Sequence, residues 1–207
     1  MSASMTSVTP LIERSEKFLL LAVGCYFIFA NFTPVFVTHN FVACLYMAEA
    51  LLDITFTVIR QPGSVSPHWR DWLVAVLGTY ASLLVVATPH VAPLLPRVLC
   101  GGLALAGILL SLSAKLCLRR SFGIIAASRG LKTNGPYRII RHPMYAGYLL
   151  MQAAFLLQYP TFHNTAVLLF TWWMQLMRIK AEEKMLETSE WVDWSQEVKW
   201  KLIPFLF

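Results

Sequence analysis

Long apolar runs broken by short polar turns organise this chain. Phe18 to Ala48, Trp72 to Pro96, Val98 to Ala114 and Met144 to Met177 contain no Asp, Glu, Lys or Arg. Each run holds one or two helices of the roughly 20 residues that cross a bilayer core. The pattern predicts hydrophobic helical segments near 18–37, 41–59, 72–88, 97–114, 144–159 and 163–177. The breaks carry turn chemistry: THN at 38–40, QPGSVSP at 61–67, TPHVAPLLP at 88–96 and YPTFHN at 159–164. The last two segments are short and joined by a tight turn at Tyr159–Pro160, which predicts a helical hairpin that only partly crosses. The expected fold class is therefore an all-α integral membrane protein with five or six transmembrane or hairpin helices. Residues 1–114 form its N-terminal membrane part, and residues 115–207 a second region that holds the long polar stretches 115–142 and 178–207.

Composition sharpens this picture. The chain is 57% apolar and 14% charged, too little charge for the surface of a soluble domain of 207 residues. Glu13, Arg14, Glu16 and Lys17 precede the first run, with no small-residue cleavage site after a short apolar core. The first span is therefore expected to stay uncleaved. The formal charge of +6 raises nucleic acid as a partner, but its distribution argues against that. With the N-terminus inside, 16 of the 17 Lys and Arg fall on one side and only Arg97 on the other. That is the positive-inside asymmetry, and it predicts cytoplasmic N- and C-termini. Cys25, Cys44, Cys100 and Cys117 all lie in apolar segments without CxxC pairing, which predicts packed free thiols and no metal site. No internal repeat and no phosphate-binding glycine loop is present.

The candidate chemistry sits in the polar stretches. In Arg141-His142-Pro143 the residue before proline is pushed out of helical geometry, while proline suits the first turn of a helix. His142 should mark the mouth of the helix beginning MYAGYLL, where backbone N–H groups can meet an anion. Tyr145 and Tyr148 continue along the same side, and Gly135-Pro136 should turn Tyr137 back toward that mouth. Arg178 and Glu182, four apart, share a helix face, with Glu183 turned aside. As a surface ion pair they carry little; at a membrane boundary they can face a buried ligand, and spacing alone leaves both readings open. Glu49 and Asp53 lie mid-segment and four apart. Two carboxylates in a span need a partner, and Arg60, one and two turns on, is the candidate for Asp53.

GPYRIIRHPMYAGYLL at 135–150, followed after a hairpin by the RxxxEE helix of Arg178, Glu182 and Glu183, resembles the isoprenylcysteine carboxyl methyltransferase family. The wider group includes phospholipid N-methyltransferases and many bacterial homologues. RSFGIIAASRGLKTNGPY matches the approach to the RHP segment in bacterial members, and VKWKLIPFLF their closing segment. The likeness covers roughly residues 115–207. It implies a membrane methyltransferase using S-adenosylmethionine, with a cofactor pocket at the cytoplasmic side formed by the C-terminal half. By position, Arg129, Gly130, Leu131, Lys132 and Tyr137 would line the cofactor. His142, Pro143, Met144 and Tyr145 would form the next part of the pocket, and Glu182 would close it. Arg178 would face the substrate, so that Arg178 and Glu182 are the implied catalytic pair. Trp191 and Trp194 stand where the family leads one to expect tyrosines, which removes a hydroxyl contact there.

The implied acceptor is lipophilic or small, with a carboxylate or thiolate favoured because an ionised nucleophile needs no base. An amine would need one, and His142 or Glu183 are the candidates. The implied setting is the lipid bilayer: the plasma or inner membrane if the source is bacterial, the endoplasmic reticulum if eukaryotic. Sterol and steroid reductases, which bind NADPH, share a related RHPxY-type segment. They typically carry Asn where this chain has Met144, and lack the preceding GPYR turn and the RxxxEE helix. A non-catalytic membrane scaffold and a transporter built around Glu49 and Asp53 are the remaining alternatives.

Overall fold

The structure, a computed structural model, describes residues 8–36, 41–61, 63–66, 68–88, 90–123 and 127–204. The turn expected at 38–40, the prolines at 62, 67 and 89, part of the approach segment at 124–126 and the last three residues lie outside these. The fold is all-helical apart from one two-residue bridge. α1 spans Val8–Phe36, α2 Phe41–Val58, α3 Trp69–Tyr80, α4 Arg97–Leu118, α5 Pro143–Gln158, α6 Phe162–Leu186 and α7 Ser189–Glu197. β1 (Ser64–Val65) pairs antiparallel with β2 (Ala127–Ser128), which ties the loop after α2 to the loop before the RHP segment.

The expected segments recur as helices, with two corrections. The segment expected at 72–88 is helical only as far as Tyr80, tightens to a 3₁₀ turn over Ala81–Leu84 and is then irregular. α3, at 12 residues and about 18 Å, is too short to cross a bilayer. Among the described residues one helix, Arg97–Ser121, is both long and apolar enough to do so. The second correction concerns α4, which continues past Ala114 and carries Lys115 into the protein interior.

Small residues set the central packing. α4 and α5 meet where Gly107 faces Gly147; a Cβ on Gly147 would lie 2.6 Å from the Gly107 carbonyl oxygen and 2.8 Å from the Ser111 nitrogen. Backbones approach this closely only where side chains are absent, as is common between membrane helices. α1 packs on α2, and α3 on α6. The Tyr159–Pro160 turn joins α5 to α6 as expected, and Thr161 caps α6 by accepting from Asn164 N at 3.1 Å. The buried Asn164 side chain accepts from Val86 N at 2.9 Å and donates to Val86 O at 3.0 Å and Tyr159 O at 2.9 Å. It thereby satisfies the irregular backbone that follows α3.

Large apolar side chains cover the outside: Phe29 is 82% exposed, Val98 85% and Phe162 91%. Exposed apolar side chains at this density mark a surface that meets something other than water. Cys100 is buried, but Cys25 and Cys44 are exposed on α1 and α2, so the packed-thiol expectation fails for these two.

Candidate active site

A cleft enclosing about 770 Å³, partly open to solvent, lies where the end of α4, the loop to α5, the start of α5, the end of α6 and α7 converge. Its loop wall needs two residues in left-handed backbone, Gly130 (φ 89°) and Gly135 (φ 60°). The 3₁₀ turn Gly135–Arg138 then delivers Tyr137 into the cleft, buried. Burial, with the Glu182 carboxylate close by, pushes the Tyr137 hydroxyl well above its ordinary pKa, so it stays a neutral donor. The N-terminal half holds this loop in place. Gln61 Nε2 and Ser121 Oγ both donate to the Arg129 carbonyl, at 2.5 and 2.8 Å. The Arg129 side chain is buried against Gly123, where a Cβ would meet its Nη1 at 2.5 Å.

His142 is the residue before α5, with Pro143 in the first turn, as the sequence predicts. The backbone N–H groups of Arg141 and His142 are not left for a ligand, however. They donate to Trp200 O at 2.8 Å and Lys201 O at 2.9 Å. The Arg141 guanidinium adds bonds to Val198 O at 2.6 Å and Ser195 O at 2.7 Å, and stacks over the Trp191 ring at 5.7 Å. The chain after α7 thus runs beside the RHP segment and fixes its backbone.

Glu183 anchors the same junction. Its Oε1 lies 3.2 Å from His142 Nε2 and 3.5 Å from Arg141 Nη1, and its Oε2 is 2.5 Å from Lys201 Nζ. Burial alone would raise its pKa, but the hydrogen bonds from His142 and Lys201 overcome that and hold it down to about 2. A carboxylate so engaged is a structural anion; the geometry opposes the role of proton acceptor that the sequence left open for it. Its depressed pKa gives stability that is fully present above the ordinary value of 4.5 and lost as pH falls toward about 2. Glu183→Gln is therefore expected to flatten the stability profile between those limits and to cost about 1–3 kcal/mol at neutral pH. Thermal unfolding across that pH range checks it; an unchanged profile would show that the junction is held by the backbone bonds alone.

Glu182 points the other way, into the cleft. It accepts a short hydrogen bond from the Tyr145 hydroxyl and pairs with Arg178 Nε at 3.3 Å. Arg178 is buried, lies 4.9 Å over the Tyr145 ring, and donates to Thr79 Oγ1 at 2.9 Å and to Gly123 O at 3.3 Å. His142, Tyr145 and Tyr148 form a ladder of rings at 5.8 and 6.4 Å, the stripe expected from their spacing.

Of the residues that the sequence nominated, Arg129, Gly130, Leu131, Lys132, Tyr137, His142, Met144, Tyr145 and Glu182 all line this one cleft. Pro143 does not; it starts the helix behind the wall. Arg178 lies behind Tyr145 and Glu182 and lines no part of the cleft. Leu118, Ser121, Gly123, Ala127, Arg141, Leu186, Trp191 and Trp194 complete the lining, and the two tryptophans supply apolar walls. Leu118 and Ser121 escaped the sequence reading because the apolar run ends at Ala114, whereas the helix does not.

No curated protein matches the chain. Residues 96–189 match the model of the family described as phospholipid methyltransferase. Over that stretch, a little under half of the chain, the sequence is similar to that family's domain. This phospholipid methyltransferase domain is the wider group to which the RHP and RxxxEE resemblance pointed, and its family is one of membrane-associated methyltransferases. The domain starts at the α4 boundary and ends at the start of α7, so it contains most of the cleft but neither α1, α2 and α3 nor Trp191 and Trp194.

Proposed function

We propose that the protein is a multi-pass membrane methyltransferase that uses S-adenosylmethionine and acts on a lipophilic acceptor. The observation that carries this is the convergence of nine separately nominated residues on one cleft within the family-matched stretch. The chemistry of the lining fits the cofactor. Arg129, Lys132 and His142 suit a carboxylate, Glu182 suits an ammonium or a ribose diol, Tyr137 is a neutral donor, and Trp191, Trp194 and Met144 offer an apolar face for a flat base. When bound, the cofactor supplies a methyl group already activated by its sulfonium.

The protein's share is then positioning and exclusion of water. Tyr145 and Glu182 form the inner wall, and their mutual hydrogen bond orients both. Arg178, behind them, fixes that wall to α3 through Thr79 and to the cleft loop through Gly123. For Arg178 to clamp an acceptor carboxylate it would have to exchange these partners. The basic residues around the cleft support a cytoplasmic position for it in this reading, with both termini on the same side and the apolar outer faces of the helices in lipid.

Titration of the detergent-purified protein with S-adenosylhomocysteine and, separately, NADPH tests the reading. Saturable binding of the former and none of the latter is expected. Binding of NADPH instead would move the protein to the reductase class, and binding of neither would leave a non-catalytic scaffold.

A further inference from the structure

A second cavity of about 1320 Å³, its open mouth included, lies among α1 to α6. Its lining is mostly apolar, with uncharged polar side chains such as Thr79, Ser82, Gln152 and Gln175, and its charged residues gather where Glu49 and Asp53 of α2 meet Lys115 of α4 beside Tyr148 of α5. Lys115 Nζ lies 3.1 Å from Glu49 Oε1 and 2.8 Å from Asp53 Oδ1, and Ser111 donates to Glu49 at 2.5 Å. Lys115 Nζ also donates to Asp53 Oδ2 at 3.0 Å, so the one ammonium engages both oxygens of Asp53 as well as Glu49. Among the described residues, the polar end of the chamber thus holds two carboxylates against one ammonium.

The chamber and the cleft share their helices. On α4, Leu118 lines the cleft and Lys115 the chamber; on α5, Tyr145 lines the cleft and Tyr148 the chamber. Three residues of α-helix rise about 4.5 Å, so a group held beside Lys115 lies roughly one helical turn from the cleft wall.

We propose that this chamber is the methyl-acceptor site, and that it takes a single-chain amphiphile whose head is a basic amine seated at Glu49, Asp53 and Lys115. The proposal rests on the methyltransferase reading and names its substrate class. An amine shares the Glu49 and Asp53 carboxylates with Lys115 and balances the excess negative charge in a low-dielectric site. A carboxylate head would add a third anion to that end. So would a phosphodiester beside the amine, so the acceptor is an amine without an adjacent phosphate. Glu49 and Asp53 lie outside the family-matched residues 96–189, and this selectivity is accordingly a property of the N-terminal half of this chain. In the transfer, the amine leaves its proton on the Glu49–Asp53 pair and forms the new N–C bond as the methyl carbon's bond to sulfur breaks. The sulfur keeps that electron pair, and the product leaves as the methylated ammonium.

Three probes with equal tails decide the matter: dodecylamine, laurate and lauroyl lysophosphatidylethanolamine, titrated into the full-length protein in a neutral maltoside and read by the thermal unfolding midpoint. Dodecylamine is expected to bind at least about tenfold more tightly than the other two. Glu49→Gln and Asp53→Asn, each leaving Lys115 one carboxylate, are expected to weaken it about tenfold while S-adenosylhomocysteine binding stays unchanged. Val23→Trp, which fills part of the chamber from α1 without removing a charge, should weaken dodecylamine as well, and keeps the test decisive should a carboxylate variant not fold. Equal binding of laurate or of the lysophospholipid would overturn the proposal, as would amine binding indifferent to every variant that folds. Amine binding that follows the variants in a protein that takes no S-adenosylhomocysteine would keep the amine site and remove its role in methyl transfer.

Discussion

Glu182→Ala is expected to weaken S-adenosylhomocysteine binding by about 10- to 100-fold, the range set by losing one or two hydrogen bonds to a charged group, roughly 1.5–3 kcal/mol. Glu182 is the one carboxylate in the cleft that faces inward, since Glu183, its neighbour, is taken up by His142, Arg141 and Lys201. Removing it takes away the only anionic acceptor in a lining otherwise rich in cations and aromatic rings. The Tyr145 hydroxyl and Arg178 Nε lose a partner at the same moment. Glu182→Gln keeps the shape and one acceptor oxygen, and should fall between wild type and alanine. Calorimetric titration of the three proteins at matched monodispersity provides the measurement. Wild-type affinity in the alanine variant would exclude Glu182 from the pocket, and with it the role that the RxxxEE helix implies.

Local rules made part of this cleft legible in the sequence, whereas its loop wall, Arg129 to Lys132, came from the family resemblance alone. Pro143 forces a helix start and His142 a helix mouth, and the i, i+3 spacing of His142, Tyr145 and Tyr148 puts three rings on one face. The i, i+4 spacing of Arg178 and Glu182 does the same on α6. These are short-range rules, and the structure obeys them. What stayed hidden is long-range. Nothing local says that Trp200 and Lys201 supply carbonyls to the Arg141 and His142 backbone, so the helix-mouth rule applies to the first-turn N–H groups of Met144 and Tyr145 instead. Likewise, Lys115 follows an uncharged run and counts toward the cytoplasmic basic excess, yet α4 carries it into the interior opposite α2. Arg60 was the nearest cation to Asp53 along the chain. Through space, over 62 residues of separation, the cation is Lys115.

That substitution of partners leads to the largest stability effect expected in the molecule. Lys115→Met should lower stability by about 3–5 kcal/mol, the cost of stranding buried charge when one member of an ion-pair cluster is removed. Methionine fills the space but leaves Glu49 and Asp53 four residues apart on one helix face, with each other's charge and no ammonium between them. A protein of ordinary stability has only about 5–15 kcal/mol to lose, so a sharp fall in monodisperse yield and in thermal midpoint is expected. Adding Glu49→Gln and Asp53→Asn to Lys115→Met should restore most of the loss, since the three neutral side chains no longer require a charged partner and Ser111 can still donate to position 49. The rescue separates the carboxylate pairing from other contacts: a triple variant as unstable as the single one would mean that the Lys115 ammonium, over the Tyr148 and Phe122 rings at 5.4 and 5.9 Å, holds α4 through those rings. A single variant as stable as wild type would mean that the two carboxylates draw on a second cation, and Arg60, the choice the sequence suggested, would then be the one to remove.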